Sequence, residues 1–260
     1  MAVRRPAPVE TLLSALPLFR DASPVHIAEL ALAARRVELR KGDRVYDTGG
    51  DAQGLYAVAF GLLKLTFGQP NGHTKVLRLV SAGETFGEPA VFFPHPYPVT
   101  AEALSDCLVL FLPAQAVNHI VESDRAALRA MLGTLSRRIF EMVEDLQSHT
   151  AKNGLQRVAA LLCSLAGLDG AVLEGSQPPA EPVSVRLPTR KSVVASRLGV
   201  TKETFSRILH ELTEAGLIAV SRLDITLRLP AGICGVARTG ALPEAATPRR
   251  RRATLQVAAG

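Results

Sequence analysis

Short apolar β-type runs alternate with turn sequences in the first half of the chain, from about position 37 to 113. The turn sequences are rich in Gly, Asp, Asn and Pro and recur about every 8–12 residues, which is the spacing of short antiparallel strands. The pattern predicts a small β-barrel. The predicted strands span residues 36–39, 45–46, 54–58, 62–67, 75–80, 99–103 and 108–112.

A helical period replaces the alternation from about Ala114. Large apolar residues then recur at steps of four and three, which is the heptad spacing of a coiled-coil seam, and most charged residues lie off this seam. Two interpretations are open: the helix packs on its own barrel, or it pairs with a second copy in a parallel dimer. The seam consists of Leu128, Leu132, Leu135, Ile139, Met142 and Leu146.

A second helical region follows an interruption at Lys152-Asn153-Gly154, which predicts a hinge. Within this region, a short helix at 191–198 is followed by Gly199-Val200, which allows a sharp turn, and by Thr201, a good N-cap residue for the next helix. Spacing at i, i+3, i+4 and i+7 predicts one buried stripe on that helix. The stripe consists of Phe205, Ile208, Leu209 and Leu212.

Polar side chains remain on the opposite face of this last helix. Two helices joined by a turn containing Gly, with polar residues near the start of the second, are typical of a DNA-binding helix-turn-helix. The apolar runs at 217–220 and 225–229 predict a hairpin that completes a winged helix. The alternative is a small helical domain with a solvated charged face.

Charge and composition support this organisation. The net charge is +6, and residues 183–230 hold eight Lys or Arg against four Asp or Glu, as expected for a nucleic-acid partner. No apolar run approaches the roughly 20 residues of a membrane span, and the first ten residues lack a signal peptide's apolar core, so the sequence predicts a cytoplasmic location without membrane contact. The three cysteines lie far apart, without zinc or iron–sulfur spacing, and are predicted to be reduced, mostly buried thiols.

Four segments and an α+β fold class follow from these patterns. They are a β-barrel domain at 1–113, a helix at 114–151, a winged-helix DNA-binding domain at 152–236 and a disordered basic tail at 237–260. The tail contains the run Arg249 to Arg252, which has no assigned role.

The whole arrangement resembles the CRP/FNR family of bacterial transcription regulators over about residues 12–230. In the β-roll, the similarity is carried by Lys41-Gly42-Asp43, Gly61-Leu62-Leu63-Lys64-Leu65 and the run 81–88, SAGETFGE. In the DNA-binding module, it is carried by residues 194–209, VASRLGVTKETFSRIL. The resemblance implies a cyclic-nucleotide-binding-type β-roll that forms a sensor domain at 1–113, a long dimerisation helix at 114–151 and a C-terminal winged helix-turn-helix.

The family resemblance also implies how DNA is read. Glu203, Ser206 and Arg207 match a Glu-x-x-Ser-Arg motif of the FNR type, which implies a TTGAT-like palindrome, and Thr201 and Lys202 would touch phosphate. The chemistry agrees, because an Arg side chain can bridge O6 and N7 of guanine and a Glu can accept from the cytosine amino group. The implied partners are double-stranded DNA, a second copy of the chain and RNA polymerase.

The implied effector pocket contains Gly87, Glu88, Tyr97 and Pro98. Members that bind cyclic AMP have Arg-Ser where this chain has Tyr97-Pro98, and a buried phosphate without a cation is costly, which disfavours a cyclic nucleotide. An FNR-type iron–sulfur cluster is not expected either, because no cysteine precedes Cys107.

The segment 92–101, with Lys152-Asn153 and residues 203–210, looks most like the Dnr/NnrR subgroup of the family. That subgroup responds to nitric oxide and controls denitrification genes, which implies haem b, and His95 is the best-placed axial ligand. Other effectors remain open: a redox thiol at Cys107 or Cys163, another small ligand, a cyclic nucleotide, or none. A cupin-like metalloenzyme would need an HxH pair with a further Glu and His, whereas His73 and His95 stand alone.

Overall fold

The computed structural model describes residues 7–68, 74–93, 95–170 and 177–243. Two compact units divide the chain, at residues 1–146 and 147–260. His73 and most of the predicted tail, from residue 244 onward, lie outside the described residues. Within the described ranges, no helix has both the length and the apolar character needed to cross a membrane.

The first unit is built on eight antiparallel strands in two four-stranded sheets, ordered β1-β8-β3-β6 and β2-β7-β4-β5. Side chains alternate between two cores: Val109 packs between the sheets, while Leu110 and Leu112 pack under the helices. The predicted β-roll is therefore confirmed. The strands are β1 (Arg35–Leu39), β2 (Arg44–Tyr46), β3 (Gly54–Phe60), β4 (Leu62–Gly68), β5 (Thr74–Ser81), β6 (Thr85–Phe86), β7 (Thr100–Ala103) and β8 (Cys107–Pro113).

Short helices cover the outer face of the first sheet, and only the last of them, at 114–123, lies in a segment that was predicted to be helical. Ser23 caps one of them by accepting a hydrogen bond from the N–H of His26, and a proline occupies the first helical turn. Apolar residues from these helices and from the turn between the first two, among them Leu13, Leu30 and, in the turn, Phe19, form a core with β3 and β8. The helices are α1 (Val9–Ser14), α2 (Pro24–Ala33), α3 (Pro89–Phe92) and α4 (Ala114–Ser123).

Asp124 divides the segment that was predicted as a single dimerisation helix at 114–151. Helix α4 ends before it, and α5 (Arg125–Ala151) begins after it. The Asp124 carboxylate accepts hydrogen bonds from the N–H groups of Ser23 at 2.8 Å and Ala127 at 3.0 Å, and its Oδ2 lies 3.0 Å from Nδ1 of His26. These bonds, that from Ser23 foremost, hold the pKa of Asp124 below its usual range. One carboxylate thus joins α2 to the start of α5.

The second unit begins with α6 (Gly154–Leu165). Asn153 caps this helix in a reciprocal pair with Gln156, in which each side chain accepts from the other residue's backbone N–H. This cap explains the predicted interruption after α5, because Asn153 has an extended backbone that ends one helix and begins the next. The other elements are β9 (Val183–Arg186), α7 (Lys191–Arg197), α8 (Lys202–Glu214), β10 (Ile218–Ser221), β11 (Asp224–Leu227) and α9 (Pro230–Thr239).

Two features of this unit differ from the sequence prediction. The wing has three strands, ordered β10-β11-β9, and β9 was not predicted. Helix α9 extends three residues into the segment predicted as a disordered tail, and it buries Ile233, Val236 and Ala237 in the core of the unit. Buried apolar contacts of this kind order a segment whose local sequence shows little helical preference.

Candidate nucleic-acid interface and effector pocket

The turn between α7 and α8 has the geometry of a helix-turn-helix. Gly199 adopts a φ of +65°, a conformation that a residue with a Cβ rarely takes, and the N–H of Val200 bonds to the carbonyl oxygen of Ala195 at 3.0 Å. Thr201 then caps α8, because its hydroxyl oxygen accepts from the N–H of Thr204 at 3.1 Å. The predicted cap and turn are both present.

Helix α8 has one buried face and one exposed face. The predicted stripe of Phe205, Ile208, Leu209 and Leu212 is buried in the core of the unit. All five predicted contact residues are exposed, namely Thr201, Lys202, Glu203, Ser206 and Arg207. The Arg207 guanidinium makes only a long contact of 3.8 Å with Glu211, one helical turn away. Such a weak surface pair leaves the guanidinium able to bind a base edge.

The wing adds a cation that the sequence analysis missed. Arg222 is exposed in the two-residue turn between β10 and β11, and its φ of +56° lies in the left-handed region. Arg186 on the neighbouring β9 is paired with Asp224 at 3.3 Å. The short gap between the two predicted strands could have identified Arg222, because a tight hairpin turn projects its side chains beyond the sheet.

The effector pocket contains a buried ion pair that the sequence did not reveal. Glu88 is 4% exposed and pairs with the guanidinium of Arg138 on α5. Nη2 of Arg138 also donates to the carbonyl and hydroxyl oxygens of Thr85, each at 2.9 Å. A second ion pair lies beside the first in the corner formed by Glu88, Thr85 and Arg138. Arg78 donates to the same Thr85 carbonyl at 3.3 Å and pairs with Glu84 at 2.5 Å. Both guanidinium groups therefore already have carboxylate partners.

Tyr97 stands at the sequence position where cyclic-AMP-binding members of the resembled family have an arginine. Its ring is 4% exposed and stacks on Tyr46 with centroids 3.7 Å apart, and its hydroxyl donates to the carbonyl oxygen of Gly54 at 2.7 Å. Gly87 lies against this ring, whereas Pro98 is exposed. Of the four predicted pocket residues, the structure thus brings Gly87, Glu88 and Tyr97 inward and leaves Pro98 at the surface.

His95, the predicted haem ligand, is exposed just after α3. Its Nδ1 lies 2.9 Å from the carbonyl oxygen of Pro96, and its ring stacks on Phe93 at 5.9 Å between centroids. A haem needs an axial nitrogen and apolar surroundings. Nε2 of His95 can supply the nitrogen, and the exposed rings of Phe92 and Phe93 supply apolar contact on one side. His95 would therefore be the residue that holds a haem and Phe93 an apolar contact on one side, while His95, Phe92 and Phe93 are all exposed to solvent.

The structure brings together two cysteines that lie 71 positions apart. Sγ of Cys163 on α6 is 3.5 Å from Sγ of Cys234 on α9, and both thiols are buried. Burial raises the pKa of the Cys163 thiol well above its ordinary value. A protonated, buried thiol is a poor nucleophile, so this environment does not favour the redox alternative at Cys163. Cys107 is also buried, with Sγ 3.2 Å from the carbonyl oxygen of Ser105.

The exposure of side chains along α5 bears on the two interpretations of its apolar seam. Ala127, Met131 and Arg138 face the helix's own unit, whereas most of the predicted seam does not. Leu128 and Leu135 are half-buried, while Leu132, Ile139, Met142 and Leu146 are each 55–65% exposed. The neighbouring Phe140 and Val143, which the heptad pattern did not include, are also exposed. The exposed stripe is the kind of surface that marks a protein–protein contact.

Comparison with known proteins agrees with both units. Residues 36–124 match the family described as "Cyclic nucleotide-binding domain", and residues 156–234 match the "Crp-like helix-turn-helix domain". The Fumarate nitrate reduction regulatory protein of Klebsiella oxytoca is 25% identical over 207 residues, covering 78% of this chain and 80% of that protein.

Solved structures of regulators show the same architecture. A CRP-family transcriptional regulator from Thermus thermophilus is 25% identical with a TM-score of 0.61, covering 80% of this chain and 99% of that one. FixK2 from Bradyrhizobium japonicum shares the fold at 19% identity, with a TM-score of 0.65 over 78% of this chain and 96% of that one. The matched proteins are regulators and not enzymes, which removes the cupin alternative. A cyclic-nucleotide-binding β-roll followed by a Crp-like helix-turn-helix assigns this chain to the CRP/FNR family of DNA-binding transcription regulators.

Proposed function

We propose that this regulator acts as a homodimer, recognises a TTGAT-containing palindrome and controls denitrification genes in response to nitric oxide bound at haem b. The observation that carries the DNA-reading part is the exposed face of α8, where Glu203, Ser206 and Arg207 lie opposite a buried stripe. Arg207 would bridge O6 and N7 of the guanine in each half-site, and Glu203 would accept from a cytosine amino group.

Phosphate contacts would fix this helix in the major groove. Thr201 and Lys202 are exposed at the N-terminus of α8, where backbone N–H groups favour an anion, and Arg222 lies at the wing tip. Two copies joined along α5 would place two recognition helices about one DNA turn apart. The apolar stripe of α5 supports this dimer. RNA polymerase is the partner that we propose for the DNA-bound dimer.

Replacing Arg207 by Ala tests the reading helix. We expect binding to a TTGAT palindrome to weaken by about 1–3 kcal/mol per half-site, because a bidentate contact to guanine is lost. Fluorescence anisotropy should be measured on this duplex and on one carrying TTAAT, since the variant should also lose discrimination between them. Arg238→Ala, which removes an exposed arginine of α9, is the matched control and should bind as the wild type does. Unchanged affinity and discrimination in Arg207→Ala would rule out the assignment.

The nitric-oxide part rests on the similarity of residues 92–101 to the Dnr/NnrR subgroup and on the environment of His95. Haem bound there would supply an iron that binds nitric oxide, held by Nε2 of His95 and packed on Phe93. Arg78 and Arg138 are each already paired with a carboxylate, and the Tyr97 ring is stacked on Tyr46. Both features disfavour a cyclic nucleotide as the effector. Burial likewise disfavours thiol chemistry at Cys163.

An absorption titration tests this part separately. Ferrous haem added without oxygen should give one Soret band per chain, nitric oxide should shift the band, and DNA binding should tighten. His95→Ala should abolish or displace the band, whereas His119→Ala, at another exposed histidine, should leave it unchanged. A protein that takes up no haem stoichiometrically would refute the haem and nitric-oxide proposal, while the Arg207 experiment would still test DNA reading.

A further inference from the structure

A row of side chains crosses the first sheet of the β-roll. In the antiparallel registers, Arg35 on β1 lies opposite Phe111 on β8, Phe111 lies opposite Tyr56 on β3, and Tyr56 lies opposite Phe86 on β6. Residues directly opposite each other in an antiparallel pair share a face, so the four side chains form one continuous rank. The Arg35 guanidinium carbon lies 4.8 Å from the centroid of the Phe111 ring, which is within the range of a cation–π contact.

The other three residues of this row are aromatic, and two further tyrosines pack against them. The Tyr56 centroid is 5.2 Å from those of both Phe111 and Phe86, and Tyr97 stacks on Tyr46 above them. The hydroxyl of Tyr97 is held by the carbonyl oxygen of Gly54. These are all three tyrosines of the chain, which contains no Trp. The aromatic cluster is thus a rigid floor with a cation at one end.

A cleft of about 410 Å³ opens at the arginine end of this rank. That volume falls within the range of small-molecule sites. Asp51 is the single carboxylate among its lining residues, against three guanidinium groups. The lining includes Arg35, Arg36, Arg44, Tyr56, Tyr97 and Phe111.

The three guanidinium groups differ in what they already bind. Arg44 pairs with Asp47 at 2.7 Å, and Arg36 donates to the carbonyl oxygen of Ala7 at 3.2 Å. Arg35, by contrast, lies within 4.0 Å of no carboxylate in the part of the chain that the structure describes, and its described contact is the face of Phe111. Its planar donors are therefore available to an anion that approaches along the cleft.

We propose that this cleft binds a small planar aromatic anion, whose charged group is held by Arg35 and whose ring lies along Phe111, Tyr56 and Tyr97. Ring edges and faces suit an aromatic ligand better than an aliphatic one, because aromatic pairs add attraction beyond buried area. The charged group of the ligand is a carboxylate or a phosphate, and both suit a guanidinium fork. The cleft shares Tyr97 with the effector pocket described above, but Gly87, Glu88, Pro98 and Arg138 do not line it.

Isothermal titration calorimetry with two probes distinguishes the sources of such an anion. 2-Naphthoate represents an aromatic carboxylate, AMP represents a nucleotide phosphate, and cyclohexanecarboxylate is the non-aromatic control. We expect one of the aromatic probes to bind one per chain, at least fivefold more tightly than cyclohexanecarboxylate. The tighter of the two aromatic probes identifies the charged group.

Variants at two arginines test the location. Arg35→Gln should weaken the preferred probe at least tenfold, whereas Arg40→Gln should change its affinity less than twofold. The control removes the same charge from an exposed arginine just beyond β1 that does not line the cleft. Equal effects of the two variants, or no binding of either aromatic probe, would overturn the proposal.

A second measurement does not depend on the stability of a variant. Nuclear Overhauser contacts between the bound probe and tyrosine ring protons can be recorded on the wild-type protein. Tyr56 lines the cleft and is not one of the effector-pocket residues, so contacts to the Tyr56 ring report on the cleft. Probe binding without any tyrosine contact would place the ligand elsewhere and contradict the proposal.

Discussion

Replacing Ile139 by Glu is expected to convert the proposed dimer into a monomer. Ile139 is 58% exposed on α5, in the middle of an apolar stripe with Leu132 and Met142. Burying an isoleucine contributes about 1.5–3 kcal/mol, and a two-fold interface counts the residue twice, so about 3–6 kcal/mol of dimer stability is at stake. A buried, unpaired carboxylate in each copy lowers dimer stability further.

Sedimentation equilibrium measures the expected change directly, and DNA anisotropy should show at least a hundredfold loss on a palindrome, because a single half-site replaces two. Arg137→Gln is the matched control, since it makes a change in net charge of the same sign at an exposed position off the stripe. The control should remain dimeric. A monomeric wild-type protein, or a dimeric Ile139→Glu variant, would show that the stripe does not hold two copies together.

Replacing Arg138 by Gln is expected to lower the free energy of unfolding of the first unit by about 3–5 kcal/mol, because a buried charge is left without its partner. Glu88 would lose the guanidinium, and Thr85 would lose two hydrogen bonds. The side chain of Glu88 is 5% exposed and that of Arg138 is 17% exposed, so water can replace the lost contacts only in part. The effect should therefore far exceed that of an exposed pair such as Arg44 and Asp47.

Urea unfolding monitored by tyrosine fluorescence measures this loss of stability, because all three tyrosines lie in the first unit. The double variant Glu88→Gln with Arg138→Gln should recover most of the loss, since two neutral side chains can bond to each other. Arg137→Gln, at the adjacent exposed position, should unfold as the wild type does. A loss below about 1 kcal/mol in Arg138→Gln would mean that the pair is effectively solvated.

These two residues are neighbours in sequence but lie on different faces of α5. Arg138 faces the β-roll, whereas Ile139 belongs to the exposed stripe. The buried ion pair and the proposed dimer face therefore lie on adjacent residues of one helix.

Periodic patterns were sufficient to predict much of this fold. Short β-type runs between turn sequences identified seven of the eight strands of the β-roll, because both the runs and the turns consist of residues that are close along the chain. The missing strand, β6, has only two residues, Thr85 and Phe86, which is too short for a pattern. Helix α2 was missed for a related reason: its sequence is apolar at most positions, so it shows no helical period.

The sequence by itself determined the β-roll, the seam of α5, the cap at Thr201 and the exposed reading face of α8, because each depends on residues that are close along the chain. Only the tertiary structure could bring Glu88 to Arg138, Cys163 to Cys234, and Arg35 to Phe111. These partners are 50 or more residues apart, and burial rather than local preference selects them. A single sequence does not encode such long-range pairing as a period, whereas close packing decides which distant side chains meet.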